Sequence, residues 1–124
     1  MKLIFSNDKS IYLQIAESIE NDILRGALDE ETQLPSTNEM AVLWGINPAT
    51  AGKGVGLMVD EGIVYKKRGI GMFVAEGAKA QIKEKRRQSF YERYIATLLD
   101  EAQSIGLTRD ELIKMIVSGG NSNA

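Results

Sequence analysis

The chain has 124 residues, 15 Lys and Arg against 17 Asp and Glu for a net charge of -2, and neither cysteine nor histidine. That length holds one small domain with an appendage and a modest core. The missing residues exclude thiol nucleophiles, disulfides, zinc sites built on Cys or His and the usual general base, leaving only carboxylates, Lys and Tyr for chemistry.

The amino terminus, residues 1–8, is too short and turns polar too soon for a signal peptide, and no apolar run approaches membrane-spanning length. A cytoplasmic protein away from membranes is expected. Within residues 1–76 there are seven Lys and Arg against eleven Asp and Glu, a balance of -4. The acids fall largely on a first helix and its exit, at Glu17, Glu20, Asp22, Asp29, Glu30 and Glu31.

The next element opens at Leu34-Pro35-Ser36-Thr37-Asn38-Glu39. Ser36 can cap backbone N–H groups and Glu39, three residues on, can reach back to complete a capping box. A second helix is therefore predicted to begin at Thr37, to bury Met40, Ala41, Leu43 and Trp44 on one face, and to end where Gly45 supplies a left-handed residue. After a turn at Gly45-Ile46-Asn47, Asn47 is a good N-cap and Pro48 a good first helical residue.

In this third helix Ala51, Val55, Met58 and Val59 make an apolar stripe, leaving Ala49, Thr50, Lys53 and Leu57 on or near the opposite face. Gly52, Gly54 and Gly56 each cost about 1 kcal/mol relative to Ala in a helix interior. Close backbone approach to a neighbour is one reason for them and tolerated drift the other.

Residues 63–67 and 72–75 are rich in β-formers and are joined through Arg68-Gly69-Ile70-Gly71, which predicts a hairpin with a glycine tip. Lys66, Lys67 and Arg68 sit where such a tip would meet phosphate or a minor groove. Helix, tight turn, helix and basic-tipped hairpin together describe a winged helix-turn-helix, a shape that fits DNA. The fold class is α+β, mostly α.

Past Glu76 the composition changes, and Gly77-Ala78 resembles a hinge. A helical pattern runs from about Lys79 to Ser104, with Ile82, Phe90, Tyr91, Tyr94, Ile95, Leu98, Leu99 and Ala102 at helical spacing, and Gly106 should break it. Thr108 and Glu111 form another capping box, opening a short helix with Leu112, Ile113, Met115, Ile116 and Val117 before a tail that frays over residues 119–123.

Two helices cannot cover the apolar surface they carry, so pairing with a second copy of the chain is expected, with Phe90, Tyr91, Tyr94, Ile95, Leu98, Leu99, Leu112 and Ile116 at the interface. Folding back onto the winged domain is the alternative. The division is therefore residues 1–76 as the reading domain and 77–124 as a two-helix dimerisation segment. The cations Lys83, Lys85, Arg86 and Arg87 precede the apolar stripe of the second segment, facing either solvent or DNA.

These residues resemble the GntR-type bacterial transcription regulators, within them the short-tailed YtrA-like branch. The resemblance covers the whole chain: Ile11-Tyr12-Leu13-Gln14-Ile15-Ala16 is similar to the family's opening helix, followed by Gly26-Ala27-Leu28, Leu34-Pro35-Ser36, Glu61-Gly62-Ile63-Val64 and Gly69-Ile70-Gly71-Met72-Phe73-Val74. Each segment alone is weak, and their order and spacing are specific. Many members carry Arg where this chain has Asn38, Ser-Arg where it has Asn47-Pro48, and a later Arg where it has Gly52 beside Lys53. Lys67 stands for a wing Arg, keeping its charge but not its fork. The absent arginines argue against strong guanine-directed readout, since bidentate Arg is the commonest specific base contact.

The resemblance implies a DNA-binding repressor, often of transport genes; no cofactor or metal is expected. The reading is a homodimer on a palindromic operator, each third helix in a major groove and half-sites roughly 10 bp or a multiple apart. Asn47 and Thr50 are candidates for base edges, Ala49 for a thymine methyl and Lys53 and Lys67 for phosphate. Pro48 opens the reading helix, and Lys66, Arg68 and Gly69 complete the wing. Ser36, Thr37 and Asn38 present helix-terminal N–H groups that suit a phosphate as well as their own cap.

Two other classes compete with this reading. One is a winged-helix protein-interaction module that does not bind DNA, consistent with the acidic balance. The other is an enzyme using Tyr91, Tyr94, Asp100 and Glu101, against which aromatic residues at this spacing read as helix-packing core. Two short helices leave little room for a ligand cavity. A small-molecule effector of unknown identity, if one is taken, is placed at the dimer interface near Tyr91 and Tyr94.

Overall fold

A computed structural model of the chain describes residues 5–6 and 9–119. The elements in order are α1 (Ile11–Leu24), α2 (Thr37–Trp44), α3 (Pro48–Asp60), β1 (Val64–Lys67), β2 (Gly71–Val74), α4 (Ala78–Phe90), a π-turn (Tyr91–Ile95), α5 (Ala96–Ser104) and α6 (Arg109–Gly119). They form two compact units, Met1–Glu84 and Lys85–Ala124, each described by itself.

In the first unit α1 contributes Ile15, Ile19 and Ile23, spaced four apart on one face and all buried. They meet Met40 of α2, the buried stripe Ala51, Val55 and Met58 of α3, and Ile63, Val64 and Val74 of the hairpin. The predicted stripe holds at three of its four positions; Val59 is 37% exposed. Met40 and Ala41 of α2 are buried and Trp44 is half-buried against the same core, whereas Leu43 is 56% exposed, so the expected four-residue face is corrected to three. An eight-residue helix has just over two turns, and its far side has nothing among the described residues to pack on.

Gly54 explains itself: a Cβ there would lie 2.8 Å from the Tyr12 carbonyl oxygen and 3.0 Å from Ile15 Cγ2. Close approach of α1 to α3 requires glycine at that position. A Cβ on Gly52 would just reach Thr37 Cγ2, and one on Gly56 would meet nothing.

The hairpin is antiparallel with Val64 opposite Val74 and Lys67 opposite Gly71, one residue displaced from the predicted strand limits. Its outer edge is not left open. Residues 31–34 run beside β2, with Glu31 N donating to Val74 O at 2.7 Å, Val74 N to Thr32 O at 2.9 Å and Leu34 N to Met72 O at 2.8 Å. The pairing satisfies edge groups that would otherwise recruit another strand.

The hinge expected at Gly77-Ala78 is instead a clamped joint. Ala78 and Ile82 are fully buried in the first unit's core. The Glu30 carboxylate forks onto the start of α4, accepting from Gly77 N at 2.8 Å and Lys79 N at 3.1 Å. Gln81 Nε2 donates to the Glu61 carbonyl at the end of α3. These partners lie 20 to 49 residues from one another in sequence.

In the second unit the predicted continuous helix is interrupted by the π-turn Tyr91–Ile95. Gly106, at φ 75°, ends α5, and Thr108 and Glu111 form the expected capping box, with Glu111 N donating to Thr108 Oγ1 at 3.2 Å and Thr108 N to Glu111 Oε1 at 2.9 Å. Gly119 closes α6, and the rest of the expected frayed tail lies outside the described residues.

Candidate nucleic-acid interface

The helix-turn-helix is set by local capping. Ser36 Oγ accepts the Glu39 N–H at 3.0 Å while Glu39 Oε1 accepts the Ser36 N–H at 2.9 Å. Gly45 takes the left-handed conformation at φ 65°, and Asn47 Oδ1 accepts the Ala49 N–H at 2.8 Å ahead of Pro48. The turn therefore presents α3 with Asn47, Pro48, Ala49 and Lys53 exposed and Thr50 half-buried.

Ser36 and Asn38 are exposed and Thr37 is half-buried. The contact distance from Gly52 to the Thr37 methyl places the start of α2 beside the first turns of α3. The cap uses the oxygen of Asn47 and leaves its amide nitrogen as a donor.

Lys53 has a support that the sequence did not reveal. Its Nζ lies 4.1 Å from the centroid of the Tyr12 ring on α1, a cation–π contact that keeps the charge while fixing its place. Lys67 repeats the device, with Nζ 4.4 Å from the Phe73 centroid. Phe73 stacks on Tyr65 at 5.9 Å, and the Tyr65 hydroxyl donates to Glu31 Oε2 at 2.7 Å. That bond raises the Tyr65 hydroxyl above its ordinary 10.0. Glu31 itself sits at φ 68°, the one non-glycine residue of positive φ among those described.

Lys66, Lys67, Arg68 and Gly69 are all exposed at the hairpin tip. Tyr12 and Phe73, which position Lys53 and Lys67, carry no local signal. Tyr12 and Lys53, for example, meet only through the packing of α1 on α3.

Several acids of this unit have structural partners. Glu17 pairs with Lys9 at 2.7 Å, and Asp22, only 3% exposed, pairs with Arg25. Glu30 caps α4, Glu31 accepts the hydrogen bond of the Tyr65 hydroxyl and Glu39 belongs to the α2 cap. Backbone N–H groups, of Gly77 first and then Lys79, hold the Glu30 carboxyl below its ordinary 4.5; the Ser36 N–H and hydroxyl do the same to Glu39.

A carboxyl lowered by folding contributes stability above the unfolded value, and that contribution is lost as pH falls through the lower folded one. Thermal midpoints measured from neutral pH to below 4.5 should therefore drop for the natural chain. They should drop less for Glu30→Gln, which has no carboxylate to protonate at the α4 joint.

In the second unit Phe90, Tyr91 and Tyr94 are 51%, 55% and 52% exposed, and Ile116 is 64% exposed. Leu98 is partly open, Ile95 and Leu99 are half-buried, and Leu112 is buried within its own unit, as is Ala102. The aromatic residues are thus surface here rather than internal packing. A hollow of this unit, about 470 Å³, is lined by Leu99, Asp100, Gln103, Leu107 and Arg109. Of the cation cluster, Lys83 and Arg87 are exposed and Lys85 and Arg86 half-buried.

Among the described residues no group of acidic side chains could hold a metal, and no helix is long and apolar enough to cross a membrane.

The family model for bacterial regulatory proteins of the gntR family matches residues 11–74. The chain belongs to the GntR family. This GntR chain is 29% identical over 119 residues to the HTH-type transcriptional repressor YtrA of Bacillus subtilis (strain 168), with 91% of each chain covered. A crystal structure of a GntR-family protein from Bacteroides thetaiotaomicron superposes with a TM-score of 0.75 at 34% identity, covering 93% of this chain and all of that one. The DNA-binding domain of AraR in complex with operator ORX1 matches with a TM-score of 0.54 at 29% identity, over 60% of this chain and 96% of that one. The GntR chain is a DNA-binding transcription regulator and not an enzyme.

Proposed function

We propose that the protein is a repressor that binds a palindromic operator as a homodimer. Each α3 enters a major groove, with Asn47 and Thr50 on base edges, Ala49 against a thymine methyl and Lys53 on phosphate. Ser36, Thr37 and Asn38 hold the adjoining backbone through the start of α2. Lys66, Lys67, Arg68 and Gly69 meet the flanking backbone or minor groove. The α4 start is shared with the reading domain, and the segment from residue 77 onward pairs the two copies through Phe90, Tyr91, Tyr94, Ile95, Leu98, Leu99, Leu112 and Ile116.

The observation that supports this reading most is the outer side of α3. Its inner side, Ala51, Gly54, Val55 and Met58, is buried while Pro48, Ala49 and Lys53 remain uncovered by the unit that carries them. Support for pairing comes from the aromatic and aliphatic surface of the second unit, which is too apolar to stay wet. AraR, similar over the reading domain, is bound to an operator.

Binding of the variants Lys53→Ala and Thr50→Ala to selected and random duplexes across a salt series tests the assignment. Lys53→Ala should weaken all duplexes alike and flatten the salt slope by about 0.9 per lost contact. Thr50→Ala should alter sequence preference at one position of each half-site, by about 1–3 kcal/mol. Unchanged binding by both variants refutes the roles.

A winged-helix module that engages protein instead of DNA is favoured by one feature, the exposed pair Val42 (86%) and Leu43 on α2. A chain that elutes as a dimer in size exclusion yet shifts no duplex at low salt would establish that reading instead.

A further inference from the structure

The hairpin tip carries one residue that its charges do not explain. Ile70 is 63% exposed, a branched hydrocarbon beside Lys66, Lys67, Arg68 and Gly69. Isolated apolar residues on a surface are ordinary. What sets Ile70 apart is the support beneath it.

Its N–H donates to the Lys67 carbonyl at 2.9 Å, closing the turn. Its carbonyl accepts from Gln33 Nε2 at 3.0 Å, from 37 residues away. The same Gln33 side chain lies against Gly71, which sits at φ 149°, so closely that any Cβ there would collide with it. Gln33 is in turn bridged to Phe73 of β2. The tip is thus a braced platform with a hydrocarbon at its end, and neither Lys66, Lys67 nor Arg68 is in an ion pair with an acid among the described residues.

A second observation concerns readout. From Thr37 to Asp60, across α2, the turn and α3, there is no arginine. The bidentate guanine contact that most often supplies discrimination is absent from the reading helices. Beside the base-edge contacts of Asn47 and Thr50, the shape and deformability of the duplex then become a source of specificity.

We propose that Ile70 is an apolar wedge. Resting on the reading of this chain as an operator-binding protein, it enters the minor groove beside each half-site and inserts at a deformable pyrimidine–purine step, TA or CA/TG. Apolar side chains inserted from a minor-groove binder unstack a step and kink the duplex, and these steps open at least cost. The cations of the same hairpin hold the phosphates on either side, and Gln33 is the positioning residue that keeps the wedge aimed.

The test uses the full chain and duplexes recovered by selection from a random library. At the flanking step TA is exchanged for AA or GC, and the bend is read from gel mobility with the site placed at different positions along one fragment. The wild type is expected to prefer the TA duplex by about 10-fold. Ile70→Ala should reduce that preference to within about twofold and lessen the bend, with an unchanged salt slope because no charge is lost. Ile70→Leu should restore both, and Gln33→Ala should erode both in the same direction.

Equal step preference and equal bending in wild type and Ile70→Ala overturn the wedge. So does a uniform loss on all duplexes, random ones included. Failure of the wild type to shift any duplex at low salt overturns the operator reading and the wedge with it, which separates the two failures.

Discussion

Gly54→Val is expected to lower the thermal midpoint by roughly 12 °C or more, while Gly56→Ala, two residues along the same helix, should raise it by about 5 °C. The opposite signs follow from what each added carbon meets. At Gly54 the first carbon already overlaps a backbone oxygen of α1, which cannot swing aside as a side chain would, and the two methyls of valine extend the overlap onto Ile15. Overpacking of this kind costs about 3 kcal/mol, a large share of the 5–15 kcal/mol that holds a small domain together.

At Gly56 the new methyl finds open space, so the intrinsic helix preference of alanine, about 1 kcal/mol over glycine, is gained without opposition. Melting curves followed by circular dichroism would decide it. A stabilised Gly54→Val would mean that α1 and α3 do not touch where the structure brings them together.

Removing the wing cations should give the largest change in binding. In the triple variant Lys66→Ala, Lys67→Ala, Arg68→Ala the proposed dimer loses six charges, and if all six neutralise phosphate the slope of log affinity against log salt becomes shallower by roughly 5 units. Affinity near 0.1 M salt should fall by several orders of magnitude. The fold should be nearly indifferent, since all three side chains are exposed and only the Lys67 contact with Phe73 is given up, about 0.5–1 kcal/mol. An unaltered slope measured by fluorescence anisotropy would place the wing away from the duplex.

The helix-turn-helix was legible because its signals are local. Ser36 with Glu39, Gly45, and Asn47 with Pro48 act within a few residues of themselves, and each cap forms as its spacing dictates. The hairpin and the final capping box were readable for the same reason. What escaped was every contact made at a distance. Lys53 on Tyr12, Glu30 on the start of α4 and Gln33 beneath Ile70 join residues 41, 47 and 37 positions apart, and no periodicity relates them.

Hydrophobic spacing also overcalled Leu43, because a pattern says which side of a helix is apolar and not whether a neighbour is present to cover it. The acidic excess is likewise a statement about composition and not about place. Composition counts charges without placing them, whereas Lys66, Lys67 and Arg68 gather at the exposed tip.

The π-turn at Tyr91–Ile95 fits one more residue into a helical turn than an α-helix does. Each residue advances an α-helix by about 100° around its axis, so the extra one rotates everything that follows it by that amount. Phe90, ahead of the turn, and Leu98, beyond it, lie about 80° apart on a regular helix, and the extra residue brings them to within about 20° of one stripe. Gaining or losing a single amino acid here would re-aim the downstream helix face while leaving its composition untouched, a route to a new mating partner that requires no change in the residues doing the mating.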